Sequence, residues 1–483
     1  IANSGRCFTT GSSHRSLPCC TSRASTAPVI ALLLEAILNS VLVVTEDIYG
    51  TALYASDRTQ KIRQWLHDDY LFLSIEYVLL IGDPTPWNPD APLNPVGDIP
   101  MFNCWPVHKT LNDKGKPSGE NKPTDYPYAN LEGNWNLNRL GQGDQWCGEL
   151  TDDDGEGGMS FHPDVYVGRI PVYQSLNSWS SDLDDILQKI IIYEDSGDLT
   201  WRKRALLPMS ISDGITDGAY LAEAMKSDYL NAAGYDTHTL YQHTGSGCYS
   251  SFVSDQDLVN LAVQNHWKNL DYGLVTWWAH GWSRGAGIGY GSCGTGDVFT
   301  SGQTSLLDDI RPAIVFAVAC GNGHPEDRDN LGYSLLKQGA VAVFSASRMS
   351  GYYYGDINLN FAGNAQMGYF TMERIVNGET VGHAFYKGIY QMSLDHDWNE
   401  TTIGNWMTFN LYGDPSLGIN DGHAVAPSAP ADLTVSQAYK GLKISWTDTS
   451  DNELGFVIQR TTNPSIAWMQ VATVGINETK WLD

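Results

Sequence analysis

Two stretches decide the fold of this chain, GLVTWWAHG (Gly273 to Gly281) and AIVFAVACG (Ala313 to Gly321). Each has the length and the Val, Ile, Trp and Phe content of a strand buried on two faces, and each ends on a glycine. Both are therefore predicted to be parallel strands of an α/β sheet. Ligands of such sheets gather at the carboxyl ends of the strands. If the two strands are neighbours, His280 and Cys320 share one edge, where an imidazole and a thiol can act on one substrate carbonyl.

Taken singly, each of these two residues has an ordinary structural explanation. A cysteine that ends an apolar run commonly packs as a small hydrophobe, and a His-Gly pair commonly marks a turn. Their conjunction favours chemistry, because a third apolar run follows at Ala340 to Ser347 and the neighbours of both reactive groups are small. Small neighbours let a substrate backbone approach closely, and here they are Ala279, Gly281, Ala319 and Gly321.

The two strand ends resemble those of the gingipain-type cysteine proteases, which belong to the same clan as caspases and legumains. The matching pairs are His280-Gly281 and Ala319-Cys320. Further matching stretches are EYVLLIGD (76–83), HPDVYVGRIPV (162–172) and NLYGDPSL (410–417), so the resemblance spans roughly 41–419. It implies a caspase-like α/β fold with a mostly parallel sheet flanked by helices, in two subdomains at 41–195 and 196–421.

The resemblance also implies a mechanism and its residues. Cys320 is the expected nucleophile, which forms an acyl-enzyme with the substrate. His280 is the expected general acid and base, which protonates the departing amine. The backbone N–H groups of Gly281 and Cys320 are expected to hold the oxyanion, and such donors contribute about 3 kcal/mol each. The chemistry requires no cofactor, and the expected substrates are proteins or peptides.

A third catalytic residue and a specificity pocket follow from the same resemblance. The stretch ALLPMSISDG nominates Asp213 to orient the imidazole, with Ser212 as the alternative one residue earlier; a turn-closing role for Asp213 is equally open. Asp217 and one of the tyrosines at 352–354, for which we take Tyr353, are the pocket candidates. An acid there would pair with Arg or Lys at the cleavage site. The alternative is that Asp217 is a solvated residue at a helix start.

Composition and cysteine usage indicate the setting. Lys and Arg number 29 against 55 acids, a net charge of −26, and no basic stripe stands out, which argues against a nucleic-acid partner. This acidity suits a secreted, soluble enzyme.

The eight cysteines form no CxxC metal-binding framework. The pairs to test as disulfides are Cys104 with Cys147 and Cys248 with Cys293, the alternative being that all are reduced and buried.

The N-terminal part of the chain matches the family poorly. Residues 1–40 are rich in Ser, Thr and Cys, and we leave open a pro-region remnant, a different extension or a fragment end. Residues 28–44 are apolar but include Glu35 and Asn39, so we expect no transmembrane segment there.

An acidic, glycine-containing stretch at 130–158 predicts a structural calcium site. Calcium takes six to eight oxygen ligands, and the spacing does not match an EF-hand loop. A solvated acidic loop is the alternative. The candidate ligands are Asn134, Asn136, Asn138, Asp144, Glu149 and Asp153.

The chain changes character after Asp421. Residues 422–430 are Ala/Pro linker material, and 431–483 alternate like half-buried strands. This last part resembles a fibronectin type III module, although its roughly 55 residues are fewer than the 90 to 100 of a full sandwich. Its expected role is spacing or surface attachment.

The sequence as a whole therefore predicts a secreted cysteine endopeptidase with a truncated β-sandwich at its end. The alternative is a catalytically inactive protease-like protein used for adhesion or surface structure. The presence of both His280 and Cys320 argues against that alternative, since a decayed site has no chemical reason to keep both.

Overall fold

The computed structural model describes 29–31, 42–49, 57–87, 96–106, 120–137, 147–244, 248–288, 296–353, 355, 359, 363–420, 430–438, 441–449, 456–460, 469–474 and 479–482. The chain divides into two compact units, one spanning 27–423 and a second that includes 424–483. The described part contains no helix that is both long and apolar enough to span a lipid bilayer.

The larger unit alternates strands and helices. Its strands are β1 (Val29–Ala31), β2 (Leu42–Val44), β3 (Tyr77–Gly82), β4 (Phe102–Cys104), β5 (Lys122–Thr124), β6 (Tyr166–Pro171), β7 (Arg204–Met209), β8 (Asp236–Tyr241), β9 (Gln256–Asp257), β10 (Leu274–Trp278), β11 (His280–Trp282), β12 (Gly285–Gly287), β13 (Asp297–Thr300), β14 (Ala313–Val318), β15 (Ala340–Ala346) and β16 (Phe409–Gly413). Its helices are α1 (Thr45–Tyr49), α2 (Asp57–Leu73), α3 (Tyr126–Ala129), α4 (Trp179–Glu194), α5 (Ala219–Met225), α6 (Asn260–Asn269), α7 (Leu331–Lys337), α8 (Asn364–Val376), α9 (Val381–Asp395) and α10 (Glu400–Thr408).

One mixed sheet of eleven strands organises this unit, in the order β2-β1-β3-β6-β16-β15-β14-β10-β7-β8-β9. The predicted neighbours β10 and β14 are confirmed as adjacent parallel strands, with Leu274 opposite Ile314 and Trp278 opposite Val318. Strands β7 and β15 flank them, also in parallel. Four carboxyl ends therefore meet along one stretch of the sheet edge.

The apolar runs of the sequence form strands because helices cover both faces of the sheet. Every residue of β14 and β15 is buried, as expected when side chains that alternate between two faces both meet a packed layer. Helix α8 packs against β14, and helix α7 packs against β15. The fold is thus a mixed α/β architecture with a mostly parallel central sheet, as the sequence predicts.

The predicted boundary between 195 and 196 lies inside the larger unit, where strands from both sides share the sheet. Strand β16, from the second predicted subdomain, lies between β15 and β6 and pairs with β6 through Tyr412 and Arg169. The guanidinium of Arg169 is fully buried and donates to both carboxylate oxygens of Asp125. The two predicted subdomains therefore form one continuous sheet.

Two of the cysteine predictions have structural outcomes. Cys104 and Cys147 form a disulfide, which confirms the first predicted pair. Cys248 is also disulfide-bonded. Its predicted partner, Cys293, lies outside the described residues.

The second unit is all β in its described parts. It contains β17 (Ala431–Ala438), β18 (Gly441–Thr447), β19 (Phe456–Arg460), β20 (Met469–Val474) and β21 (Lys480–Leu482). Strands β17, β18 and β21 form one antiparallel sheet, and β19 pairs with β20. The rings of Trp446 on β18 and Phe456 on β19 lie 5.2 Å apart, which joins the two sheets. The identity of this module stays a prediction.

Candidate active site

Cys320 lies two residues beyond the end of β14, at the sheet edge. It is half-buried, and it is the free cysteine of the described residues. Its Sγ lies 3.3 Å from the carbonyl oxygen of Ser350 and 3.4 Å from the Ser350 nitrogen, so the peptide around Ser350 encloses the thiol. Gly321 follows at a φ of +65° and donates to the Arg348 carbonyl at 2.8 Å. This left-handed turn, which glycine adopts without strain, directs the chain away from the thiol.

His280 lies two residues beyond β10 and is half-buried. Its Nε2 lies 2.9 Å from the carbonyl oxygen of Ser212, in the loop after β7. Because a carbonyl can only accept a hydrogen bond, Nε2 carries the proton in this contact. The neutral ring then presents Nδ1 as its basic nitrogen, and the orientation of the imidazole is set by the main chain.

The two strand ends are in direct backbone contact through Gly281. A methyl group added at Gly281 would lie 2.2 Å from the Cys320 oxygen and 2.8 Å from its nitrogen. Only a residue without a side chain fits here, so the approach of the two main chains requires this glycine. Among the described residues, no acceptor receives the Cys320 N–H. Both predicted oxyanion donors therefore belong to peptides that lie against each other.

Asp213 closes its own turn and reaches across the cleft. Its carboxylate accepts the backbone N–H groups of Ile215 and Thr216, the Thr216 hydroxyl and the Tyr352 hydroxyl at 3.0 Å. Burial opposes its ionisation, but these hydrogen bonds outweigh burial and lower the pKa of Asp213. The imidazole contacts the main-chain carbonyl of Ser212, the residue that the sequence left open as the alternative to Asp213.

Tyr352, in the segment after β15, contacts the loop after β7. Burial and the hydrogen bond to Asp213 raise the pKa of its hydroxyl to about 12. Its ring packs edge-on against Trp278, with centroids 5.5 Å apart. The indole of Trp278 donates to the Ser212 hydroxyl at 2.6 Å. The segment after β15 is therefore braced on the loop that holds the imidazole.

The pocket candidates occupy different places. Asp217 is half-buried and accepts the Ser250 hydroxyl at 2.7 Å and the Ala219 N–H at 3.0 Å. The Tyr353 hydroxyl meets the Asn399 amide at 3.5 Å, at the start of α10. Tyr352, rather than Tyr353, thus meets the acidic loop after β7, and the third tyrosine of the run lies outside the described residues. The pocket roles of Asp217 and Tyr353 stay predictions.

Sequence reasoning missed the residues that brace the loop after Cys320. The buried Asn322 donates to the carbonyls of Trp282 and Gly285, both at 2.8 Å, and so ties the loop after Cys320 to the loop after His280. An amide among small residues in ACGNG was the available signal. Asparagine can bridge two peptides in this way because its amide carries two donors.

An ion pair between the buried Arg348 and the partly exposed Glu326 supports the same loop. Glu326 accepts two hydrogen bonds from the Arg348 guanidinium, at 2.6 and 3.0 Å, and one ring nitrogen of His324 lies 3.0 Å away. Burial opposes ionisation of Glu326, but His324 and Arg348 outweigh it and lower the pKa of Glu326 to about 2. No sequence motif links Arg348 to His324 and Glu326, so only their proximity in space reveals the cluster.

The predicted calcium ligands are partly described. Asn134 accepts the Asn136 N–H at 3.0 Å, and the buried Asp153 accepts the N–H groups of Leu137 and Glu149 at 2.6 and 3.1 Å. Asn138 and Asp144 lie outside the described residues. Within the described ranges, no three His, Cys, Asp or Glu side chains gather in a metal-binding group. The calcium site stays a prediction.

Comparison with known proteins extends this picture. The model of peptidase family C25 matches residues 33–420. The crystal structure of the Arg-specific cysteine proteinase gingipain R is similar with a TM-score of 0.52 and 17% identity, over 90% of this chain and 83% of that one. A complex of the pro- and mature domains of RgpB from Porphyromonas gingivalis gives 0.51 and 16%, over 91% and 85%. These structural likenesses show a shared fold. No curated protein sequence matches the chain.

Proposed function

The chain belongs to peptidase family C25 and is thus a cysteine peptidase, and on that premise we propose that Cys320 and His280 form the catalytic dyad of an endopeptidase. The observation that carries the proposal is the parallel pairing of β10 with β14, with Gly281 seated on the peptide of Cys320. The imidazole and the thiol emerge two residues beyond these adjacent strand ends.

The proposed reaction uses the two side chains in sequence. Nδ1 of His280 first takes the thiol proton, and the Cys320 thiolate attacks the scissile carbonyl, whose electron pair moves onto the oxygen. The N–H groups of Gly281 and Cys320 would stabilise the oxyanion of this tetrahedral intermediate. When the oxyanion collapses to the thioester and the C–N bond breaks, Nδ1 of His280 passes the proton to the leaving amine. Water, activated by the same nitrogen, then hydrolyses the thioester and restores the thiol.

We extend the proposal to cleavage after Arg or Lys. Two acids, Asp213 and Asp217, lie in the loop after β7, and Tyr352 reaches over that loop from the segment after β15. A carboxylate at the end of a pocket forms charge-assisted hydrogen bonds with a guanidinium or an ammonium group. The structural likeness to gingipain R, an Arg-specific cysteine proteinase, supports the extension.

The decisive experiment is intact-mass spectrometry after reaction with peptidyl acyloxymethyl ketones that carry Arg, Lys, Asp or Asn next to the warhead. We expect one adduct, mapped to Cys320, that forms fastest with the basic reagents. Cys320→Ala should remain folded by circular dichroism and take no label, and His280→Ala should lower peptide hydrolysis by about 1,000-fold. Hydrolysis that survives in Cys320→Ala would overturn the dyad.

The two acids can be separated by matched variants. Asp217→Asn should slow hydrolysis after Arg and Lys selectively if Asp217 binds the basic side chain. Asp213→Asn serves as its partner variant, because Asp213 already engages its own turn and Tyr352. Equal cleavage profiles in Asp217→Asn and the unmodified enzyme would remove Asp217 from the pocket.

The setting of the enzyme is part of the same proposal. The disulfide between Cys104 and Cys147 supports an oxidising, extracellular compartment. The all-β second unit supports a fibronectin-like module for surface attachment.

A structural calcium ion in the 130–158 region would be detected by the melting temperature, which should fall on treatment with a chelator and recover when calcium is added.

A further inference from the structure

An exposed tryptophan stands beside the catalytic histidine. Among the described tryptophans, Trp282 is the most exposed, with 44% of its surface accessible. It occupies β11 together with His280 and Gly281. Alternate residues of a strand project to the same face, and they are about 6.6 Å apart along it. The indole and the imidazole therefore share one face of β11.

The strand next to Trp282 is shaped to carry its indole. A methyl group added at Gly285 would lie 2.4 Å from the indole Cζ2, and one added at Gly287 would lie 3.0 Å from Cζ3. The ring thus rests on two glycines of β12, the partner strand of β11. The Trp282 carbonyl is held by the Asn322 amide at 2.8 Å. One side of the indole is supported by backbone, and the ring is oriented before any substrate arrives.

Trp282 lies close to the proposed nucleophile as well as to His280. A methyl group at Gly321, the residue after the proposed nucleophile, would lie 3.7 Å from the Cα of Trp282. His280 protonates the departing amine, so the residue that begins with that amine leaves across the face that His280 and Trp282 share.

The charges near Trp282 are already engaged with one another. The guanidinium of Arg284 binds both carboxylate oxygens of Asp327, at 2.8 and 2.9 Å, and Asp329 at 3.1 Å. Because this arginine is paired with two carboxylates, the surface offers an acidic substrate side chain little attraction. The indole instead offers a flat apolar surface on which an apolar substrate side chain can pack.

From this geometry we propose that Trp282 forms a subsite for the residue on the amine side of the cleaved bond and selects bulky aromatic or aliphatic side chains there. The inference rests on the proposed endopeptidase function and adds a second specificity element to it. Covering an exposed indole with a Phe or Leu side chain removes apolar surface from water. Contacts of this size discriminate substrates by about tenfold to a hundredfold.

The test compares internally quenched peptides that share one basic residue before the cleaved bond and differ only after it, with Phe, Leu, Gly, Asp or Lys. In the unmodified enzyme we expect kcat/KM for Phe and Leu to exceed that for Gly by about tenfold or more. Trp282→Ser should reduce this ratio to below about threefold, and Trp282→Phe should keep most of it. Phe72→Ala, which truncates an aromatic residue that is 85% exposed on α2, is the matched control and should leave the ratio unchanged.

Each outcome is decisive. A Phe-to-Gly ratio near one in the unmodified enzyme, an unchanged ratio in Trp282→Ser, or a preference for Asp or Lys would overturn the subsite. Labelling of Cys320 and hydrolysis of the Gly peptide, measured on the same preparation, show whether the endopeptidase function itself holds. A preparation that neither takes the label nor hydrolyses any peptide would overturn both proposals.

Discussion

Replacing Gly281 with alanine tests the backbone contact on which the proposed site depends. The added methyl group would lie 2.2 Å from the Cys320 carbonyl oxygen, whereas real Cβ contacts essentially never fall below 3.0 Å. The two strand ends must therefore separate by at least 0.8 Å, the difference between those two distances. The two atoms closest to the methyl group, the oxygen and nitrogen of Cys320, belong to the main chain. Neither can move aside as the end of a flexible side chain would.

The cost of that displacement can be estimated. A misplacement of about 1 Å in an active site lowers the rate by about 100-fold, which corresponds to about 2.7 kcal/mol of activation free energy. Loss of one oxyanion donor has a similar effect, about 100-fold to 1,000-fold in kcat. We therefore expect kcat/KM of Gly281→Ala to fall by about 100-fold or more, with most of the loss in kcat.

The assay is steady-state hydrolysis of an internally quenched peptide, together with the rate of Cys320 labelling and the melting temperature. Gly197→Ala is the matched control, because a methyl group there meets nothing within 4 Å. It should keep full activity. Activity of Gly281→Ala within threefold of the unmodified enzyme would refute the reasoning, and so would an equal loss in Gly197→Ala.

Two further predictions concern ion pairs. The pKa of Glu326 is lowered from 4.5 to about 2, so its ionised form adds stability that is present above about pH 4.5 and is lost as the pH falls towards 2. Because the Glu326 side chain is 29% exposed, solvent screening reduces this contribution to about 1 to 2 kcal/mol. Glu326→Gln should therefore destabilise the protein at pH 7, leave Arg348 unpaired, and flatten the pH dependence of denaturant unfolding between pH 5 and 2; an unaltered dependence would contradict this. Asp125→Ala should lower the free energy of unfolding by about 3 to 5 kcal/mol, because it leaves the fully buried charge of Arg169 without its partner. The double variant Asp125→Leu with Arg169→Met should recover most of that loss, and failure to recover would mean that the cost lies in packing.

Much of the fold was readable from local sequence. The runs that became β10, β14 and β15 are apolar throughout, because strands of a parallel sheet under two helical layers meet a packed layer on both faces. The disulfide between Cys104 and Cys147 was one of two candidate pairs. The order of the eleven strands was not readable, since hydrophobic pattern specifies a strand but not its neighbours.

The two candidate reactive side chains of the site could be predicted from the sequence, but the groups that surround them could not. His280 and Cys320 stand out because each ends an apolar run beside a glycine. Ser212 and Ser350 do not stand out, because the structure uses their backbone atoms, and every residue has those atoms. The contact between Tyr352 and Asp213 was not readable either, since residues 352–354 are all tyrosines and the sequence does not show which of them faces the loop after β7.

The sequence by itself therefore determined which residues are candidates for chemistry and which segments are buried strands, since both depend on residue type and on spacing along the chain. Only the tertiary structure decided which atoms meet. The contact of His280 with the Ser212 carbonyl and the ion pair between Glu326 and Arg348 join groups from separate loops. Such contacts arise where strands distant in sequence end side by side, and no local pattern encodes that proximity.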